Sequence, residues 1–322
     1  MRNNQIVRFV LSVVVLCAVM LTPFQVSAYA TEHLPSDQVY GDFVVGPGKM
    51  DVELHPGESK TVELTLANRM GDEREFEIHV EDMKGSEDPA QAVVLLGGEK
   101  GPYSLRDYFS FPEPTFTLPH ATKARIPVTI TIPKDAEPGG FYGSVLFTTT
   151  SKRVTGPNGE VVGGAAVISR IGVLFFVTVP GATKQEGALV SFTTKAKQMF
   201  FTGGDITFQA LFHNTGDLHM KPSGQIKITN MLGTPIETIA VDSWFSLPHS
   251  LRLREVAWQR TGLIGRYTAE LTLNRGYNDL RDTMKTTFWV IPLLPAAIVL
   301  VSIFIIFFVI RYLVTHIEIR RK

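Results

Sequence analysis

The stretch FHNTGDLHMKPSG, Phe212 to Gly224, places His213, Asp217 and His219 within seven positions. Imidazole and carboxylate are the ligand types of catalytic zinc and iron, so this density raises the question of a metal site. The spacing lacks the compactness of a His-Glu-x-x-His helix, and no third ligand is fixed by it. Its context answers otherwise. In ITFQALFH the residues Ile206, Phe208, Ala210 and Phe212 alternate with polar ones, and GQIKITN begins a second such run after Gly224. Between them Asn214, Gly216, Pro222 and Gly224 are turn residues, so the segment reads as a polar connection between two strands.

Other chemistry finds no motif. There is no Gly-x-Ser-x-Gly elbow, GPGKM lacks the Ser/Thr of a phosphate loop, and GPNGEVVGGA lacks dinucleotide spacing. Cys17, the single cysteine, stands in the leading apolar run. The acidic stretch Glu81 to Pro89 (EDMKGSEDP) gathers oxygens without the alternating spacing of a calcium loop, so a solvated loop is its reading. We expect no enzyme, no cofactor, no metal and no nucleic-acid partner.

The elements around these residues are strands. REFEIHVED, TVELTLAN and RIPVTITIP alternate apolar and polar side chains, the period of a half-buried strand. Pro127 falls on the outward set of its run and suggests an edge strand. VISRIGVLFFVTVPG is continuously apolar and reads as more central. HPGES, MGDE, KDAEPGG and GPNG punctuate these runs, and GGFYGSVLF reads as a strand with glycines where a neighbour packs closely. The expected fold is all-β, two tandem immunoglobulin-like antiparallel sandwiches over 31–183 and 184–290, with PGATKQEG as linker.

The ends predict export and anchoring. Residues 1–28 carry Arg2 and Arg8, an apolar run from Phe9 to Leu21 and the small-residue site Val26-Ser27-Ala28, which is the pattern of a signal peptide. No charge occurs from Phe288 to Ile310, and 291–310 is expected to be a transmembrane helix, flanked by Trp289 and Tyr312. Arg311, Arg320, Arg321 and Lys322 make 311–322 a cytoplasmic tail, with the ectodomain outside a plasma membrane crossed once. The asparagines after residue 30 start no Asn-x-Ser/Thr sequon, and with the lack of further cysteines this favours a bacterial envelope. Residues 31–183 hold 13 Lys/Arg against 21 Asp/Glu, whereas 184–290 hold 12 against 9, so the half nearer the span is the basic one.

Four aromatic residues stand out as candidate partner anchors. Neighbours in a strand face opposite sides, so Phe200 with Phe201, and Trp244 with Phe245, cannot both enter one core. Either one of each pair is exposed, and exposed Trp and Phe anchor interfaces, or the segments are loops folded back over the core end that hide both rings.

The order of motifs resembles the Gram-positive WxL-interacting proteins. DFVVGPGKMDVELHPGESKTVELTLAN resembles their opening, a Phe-x-Val start, a Pro-Gly turn and a strand ending in Asn68, and VTITIPKDAEPGGFYGSVLF resembles a later segment. The resemblance implies a first domain facing peptidoglycan, a second contacting protein and a WxL-domain partner. The expected function is therefore a membrane-anchored, non-enzymatic binding module for cell-wall polymer or an envelope protein. A chaperone-like envelope assembly subunit is the alternative.

Overall fold

Alternating runs become strands wherever one face finds a core. The computed structural model describes residues 29–150, 154–155, 161–163 and 167–316. The export-signal reading, and the tail beyond residue 316, lie outside them. The first sandwich begins with β1 (Ala30–His33), β2 (Asp42–Gly46), β3 (Lys49–Glu53), β4 (Ser59–Arg69), β5 (Arg74–Lys84) and β6 (Val94–Leu95). It continues with β7 (Phe109–Ser110), β8 (Thr115–Leu118), β9 (Thr122–Thr131) and β10 (Gly139–Thr150), then the short ribbon β11 (Val154–Thr155) and β12 (Val161–Gly163), and β13 (Ile168–Val179). One sheet has the order β1-β9-β4-β2 with β7 also on β9, and the other runs β3-β13-β10-β5-β6 with β8 also on β5.

The inward residues of RIPVTITIP, namely Ile126, Val128 and Ile130, are fully buried against Leu64, Leu66, Phe76, Phe147 and Phe175. Each such side chain contributes about 1.5–3 kcal/mol by leaving water. The edge suggested by Pro127 is corrected. β9 lies inside its sheet, with β4 on one side and both β1 and β7 on the other. Yet β1 reaches only Arg125 and β7 starts at Thr129, so Pro127, which has no N–H to donate, sits in the gap between them.

The second sandwich comprises β14 (Gly187–Thr194), β15 (Phe200–Phe201), β16 (Asp205–Asn214), β17 (Ser223–Asn230), β18 (Pro235–Val241), β19 (Ser250–Gln259), β20 (Gly265–Asn274) and β21 (Arg281–Val290). Sheet β14-β16-β19 faces sheet β15-β21-β20-β17-β18. Between them Phe208, Trp258, Tyr267 and Phe288 form an aromatic cluster, with Phe208 and Trp258 at 5.8 and 6.1 Å from Phe288.

Two residues after β21 the chain enters α1 (Leu293–His316), which starts later and runs further than the expected 291–310. Pro292 precedes the helix and Pro295 lies in its first turn, where an N–H has no intrahelical partner. The 23 residues from Leu293 to Thr315 form a stretch long and apolar enough to cross a membrane, at about 1.5 Å per residue.

Candidate functional site

The turn reading of FHNTGDLHM holds, and a buried asparagine makes it. Asn214, closing β16, is fully buried; its amide donates to the carbonyls of Leu218 (2.9 Å) and Ser246 (3.0 Å), and its oxygen accepts the N–H of Gly216 (3.0 Å). Asn68 repeats this at the end of β4, donating to Asp72 (2.9 Å) and Leu118 (2.8 Å) and accepting from Met70 (3.0 Å). The device recurs because a strand that turns inside a sandwich rim leaves backbone groups that water cannot reach.

The three candidate ligands part company. His213 stays on β16 opposite Ala188 and Leu251, and the Asp217 carboxylate meets Nε2 of His249 (3.1 Å) and the Tyr103 hydroxyl (3.4 Å). His219, read as a residue of a polar loop, is instead packed between the sandwiches with its side chain 8 % exposed.

That junction is an apolar cluster shared by both sandwiches: Met83, Tyr142 and Phe176 from the first and Leu247 from the second are buried, with Phe245 packed on them. The Tyr142 hydroxyl accepts the His219 backbone N–H (2.8 Å) and lies 3.3 Å from its Nδ1. The rings of Tyr142 and Phe176 stand edge-on to the imidazole at 5.6 and 5.2 Å. Burial, reinforced by Lys221 and Lys49 and opposed by Asp51, lowers the His219 pKa to about 4, so the ring is neutral at pH 7. Burial also raises the Tyr142 hydroxyl. Asp51 would be raised by burial, but Lys49 (2.8 Å) and Lys221 (3.0 Å), one from each sandwich, hold it below the ordinary carboxylate value.

The acidic segment Glu81 to Pro89 is not a solvated loop. Asp82 is fully buried and accepts the N–H groups of Gly101 (2.9 Å), Leu105 (3.0 Å) and Arg106 (3.0 Å). Burial opposes its charge, yet this hydrogen bonding keeps its pKa below the usual carboxylate range. Beyond it the chain crosses to the second sandwich, where Leu251 and Leu253 of β19 donate to the carbonyls of Ser86 (3.1 Å) and Pro89 (3.0 Å). Gly85 makes the approach possible, since a Cβ there would collide with the Ser250 side chain. No cluster of three His, Cys, Asp or Glu side chains among the described residues is arranged to hold a metal.

β13 connects this junction to a sheet edge that no described strand pairs. Its second half is central, flanked by β10 and, in parallel, by β3, whose pairing begins at Leu174 opposite Lys49. Before Leu174 only β10 pairs with it among the described residues. Leu174 donates its N–H to Gly48 (3.1 Å), on the side away from β10. Strand alternation turns the N–H and C=O of Gly172, Arg170 and Ile168 to the same side. Ile168 is 67 % exposed and Ile171 38 %, and Arg170 is fixed by an ion pair to Glu81 of β5. A sheet edge with unpaired backbone groups and exposed β-branched side chains is a template for another extended segment.

The four aromatic candidates divide differently. Phe200 is 60 % exposed, whereas Phe201 is buried in the second core. At the other pair both rings are hidden, which corrects the candidate anchor there: Trp244 is 7 % exposed inside the second core, and Phe245 packs in the junction 4.9 Å from Phe176, under Lys49 and Arg252. Adjacent residues do face opposite sides here, but both sides are cores. The open edge of β13 was hidden by its own composition, because VISRIGVLFF is apolar throughout and shows no change where the neighbouring strand stops. His219 left no signal either, since a loop histidine becomes buried only when a second domain closes on it.

No family model matches the chain, and no curated protein matches it. Several solved structures do, all at low identity. A chain of the chaperone–tip adhesin complex of CFA/I fimbriae biogenesis is 10 % identical, with 77 % of this chain and 98 % of that one covered and a TM-score of 0.36. The class 5 fimbriae chaperone CfaA is 11 % identical over 77 % of this chain and 99 % of its own, with a TM-score of 0.35. A chain of the CsuC–CsuE chaperone–tip adhesion subunit complex of Acinetobacter baumannii is 10 % identical over 76 % and 97 %, with a TM-score of 0.36. The likeness is one between β-sandwich chains, and the fold assignment stands on the strand pairing described above.

Proposed function

We propose that the chain is a membrane-anchored, non-enzymatic envelope protein whose two sandwiches stand outside the cell and bind an extended segment of a partner protein along β13. The observation that carries this reading is the open edge at Ile168, Arg170 and Gly172, with Ile168 and Ile171 exposed beside it. Main-chain hydrogen bonds would supply affinity there and the isoleucines would supply selectivity. The apolar helix supports anchoring, and the basic residues from Arg311 onward support a cytoplasmic C-terminus. A WxL-domain protein is the first partner class to try, and peptidoglycan the first polymer. The same edge favours a second reading, an assembly subunit that holds an extended segment of another envelope protein and later releases it.

Ile168→Pro tests both. The Ile168 N–H faces the open side, so proline there removes a donor to the partner while sparing the ladder to β10. Full-length chain and variant, captured from a cross-linked envelope, should differ by loss of the partner in the variant. Equal capture would overturn the reading. Release of the partner on adding a competing envelope segment separates the assembly subunit from a permanent scaffold.

A further inference from the structure

Apolar side chains left in water on the second sandwich are not scattered. Among its described residues the large exposed ones gather at one end, with Val190 and Leu280 lying elsewhere. That end is the one from which the chain departs into α1. Phe200 pairs in register with Trp289, and Trp289 with Arg266, so these three side chains form one row across the outer face of the sheet. Phe200 is 60 % and Trp289 39 % exposed. The row is tied to the exit of the chain, because Trp289 donates to the Met199 carbonyl and Ile291 to that of Phe201, both at 2.8 Å.

The β17–β18 hairpin reaches the same level. Gly265 of β20 lies opposite Val290, and Tyr267 lies opposite Asn230, the last residue of β17. The hairpin tip lies past Asn230, in the direction that leads along β20 from Tyr267 to Gly265. Its tip residues Met231 and Leu232 are 70 % and 83 % exposed, and Ile264, next to Gly265, is 66 % exposed. A soluble hairpin gains nothing from two large apolar residues at its apex. The apex of a hairpin held beside a spanning helix has an apolar phase within reach.

We propose that this end of the second sandwich docks into the lipid surface, with Met231 and Leu232 inserted and the Phe200–Trp289–Arg266 row at headgroup level. The proposal rests on the reading that α1 spans a membrane. The reasons for a bilayer as occupant are continuity and chemistry. Only Ile291 and Pro292 separate β21 from α1, so the surface lies within a few ångströms of the point where the helix enters. Aromatic rings with an adjacent arginine suit the boundary between headgroups and acyl chains. The footprint would hold the sandwich at a fixed tilt and so aim the β13 edge.

Depth measurement tests this. In full-length protein with Cys17, its only cysteine, replaced by serine, nitroxide labels are placed through Leu232→Cys, Leu280→Cys and Ile303→Cys. The protein is reconstituted into phosphatidylcholine–phosphatidylglycerol vesicles, and relaxation by oxygen and by an aqueous nickel chelate is read. The label at position 232 should be shielded from nickel and open to oxygen, as at 303, while that at 280, at the far end of the sandwich, meets nickel freely. A label at 232 as open to nickel as at 280, with 303 shielded, overturns docking and leaves the span intact. Shielding of 232 from both reagents means a protein occupant and also overturns it. If 303 itself meets nickel, the spanning reading fails and docking falls with it.

Discussion

Acidification should loosen the junction through one residue. His219 is neutral in the folded chain because burial, with Lys221 and Lys49 nearby, lowers its pKa to about 4, and the single opposing group is Asp51. In the unfolded chain a histidine titrates near its ordinary value of about 6.5. The folded pKa is the lower one, so the contribution of His219 is fully present above about pH 6.5, declines as pH falls, and is exhausted once pH has passed through about 4. The interval of about 2.5 pH units, at about 1.4 kcal/mol each, gives a loss of roughly 3 kcal/mol. Other groups titrate in the same window, so the test is a difference. Urea unfolding of the full-length chain and of His219→Asn is followed by tryptophan fluorescence between pH 7.5 and 4; Trp244 and Trp258 are 7 % and 2 % exposed in the second sandwich and report its unfolding. The unmodified chain should lose about 3 kcal/mol more than the variant. Parallel pH profiles would refute the assignment of a buried, neutral imidazole.

Trp244→Ala should destabilise the second sandwich by about 3–5 kcal/mol, read as a fall in the urea midpoint, because it empties a core site. Trp244→Phe should cost about 1 kcal/mol, since the indole N–H has no hydrogen-bond partner among the described residues. Gly85→Val should force Ser250 away, cost about 1–3 kcal/mol and accelerate amide exchange at Leu251 and Leu253, which donate to Ser86 and Pro89. Asn214→Ala and Asn68→Ala should each cost about 1–3 kcal/mol in urea unfolding, because each strands buried backbone groups in its own sandwich.

The all-β fold was legible because strand alternation is a local property. Ile126, Val128 and Ile130 declare one face of β9 in five residues, and the turn signals around them separate strands without reference to the rest of the chain. Pro127 shows where local reading stops. Its lack of an N–H marks a missing neighbour, but whether that means an edge or a gap between β1 and β7 depends on strands far away in sequence. The same limit governs Trp244 and Phe245. Alternation requires them to face opposite ways, and only the closing of one sandwich on the other makes the second direction a buried one. His219, Gly85 and the segment Ser86 to Pro89 belong to that closing too, so their roles follow from the docking of two units and leave no periodic trace in either.

The central claim is an open strand edge at β13, and backbone amide exchange of the full-length chain tests it most directly. Ser169 and Ile171 lie opposite Thr149 and Phe147 of β10 and should exchange slowly. Ile168, Arg170 and Gly172, whose N–H groups face the open side, should exchange quickly in the free chain and become protected when the captured envelope partner is bound. Slow exchange at these three positions without a partner, or no added protection with one, would contradict the account.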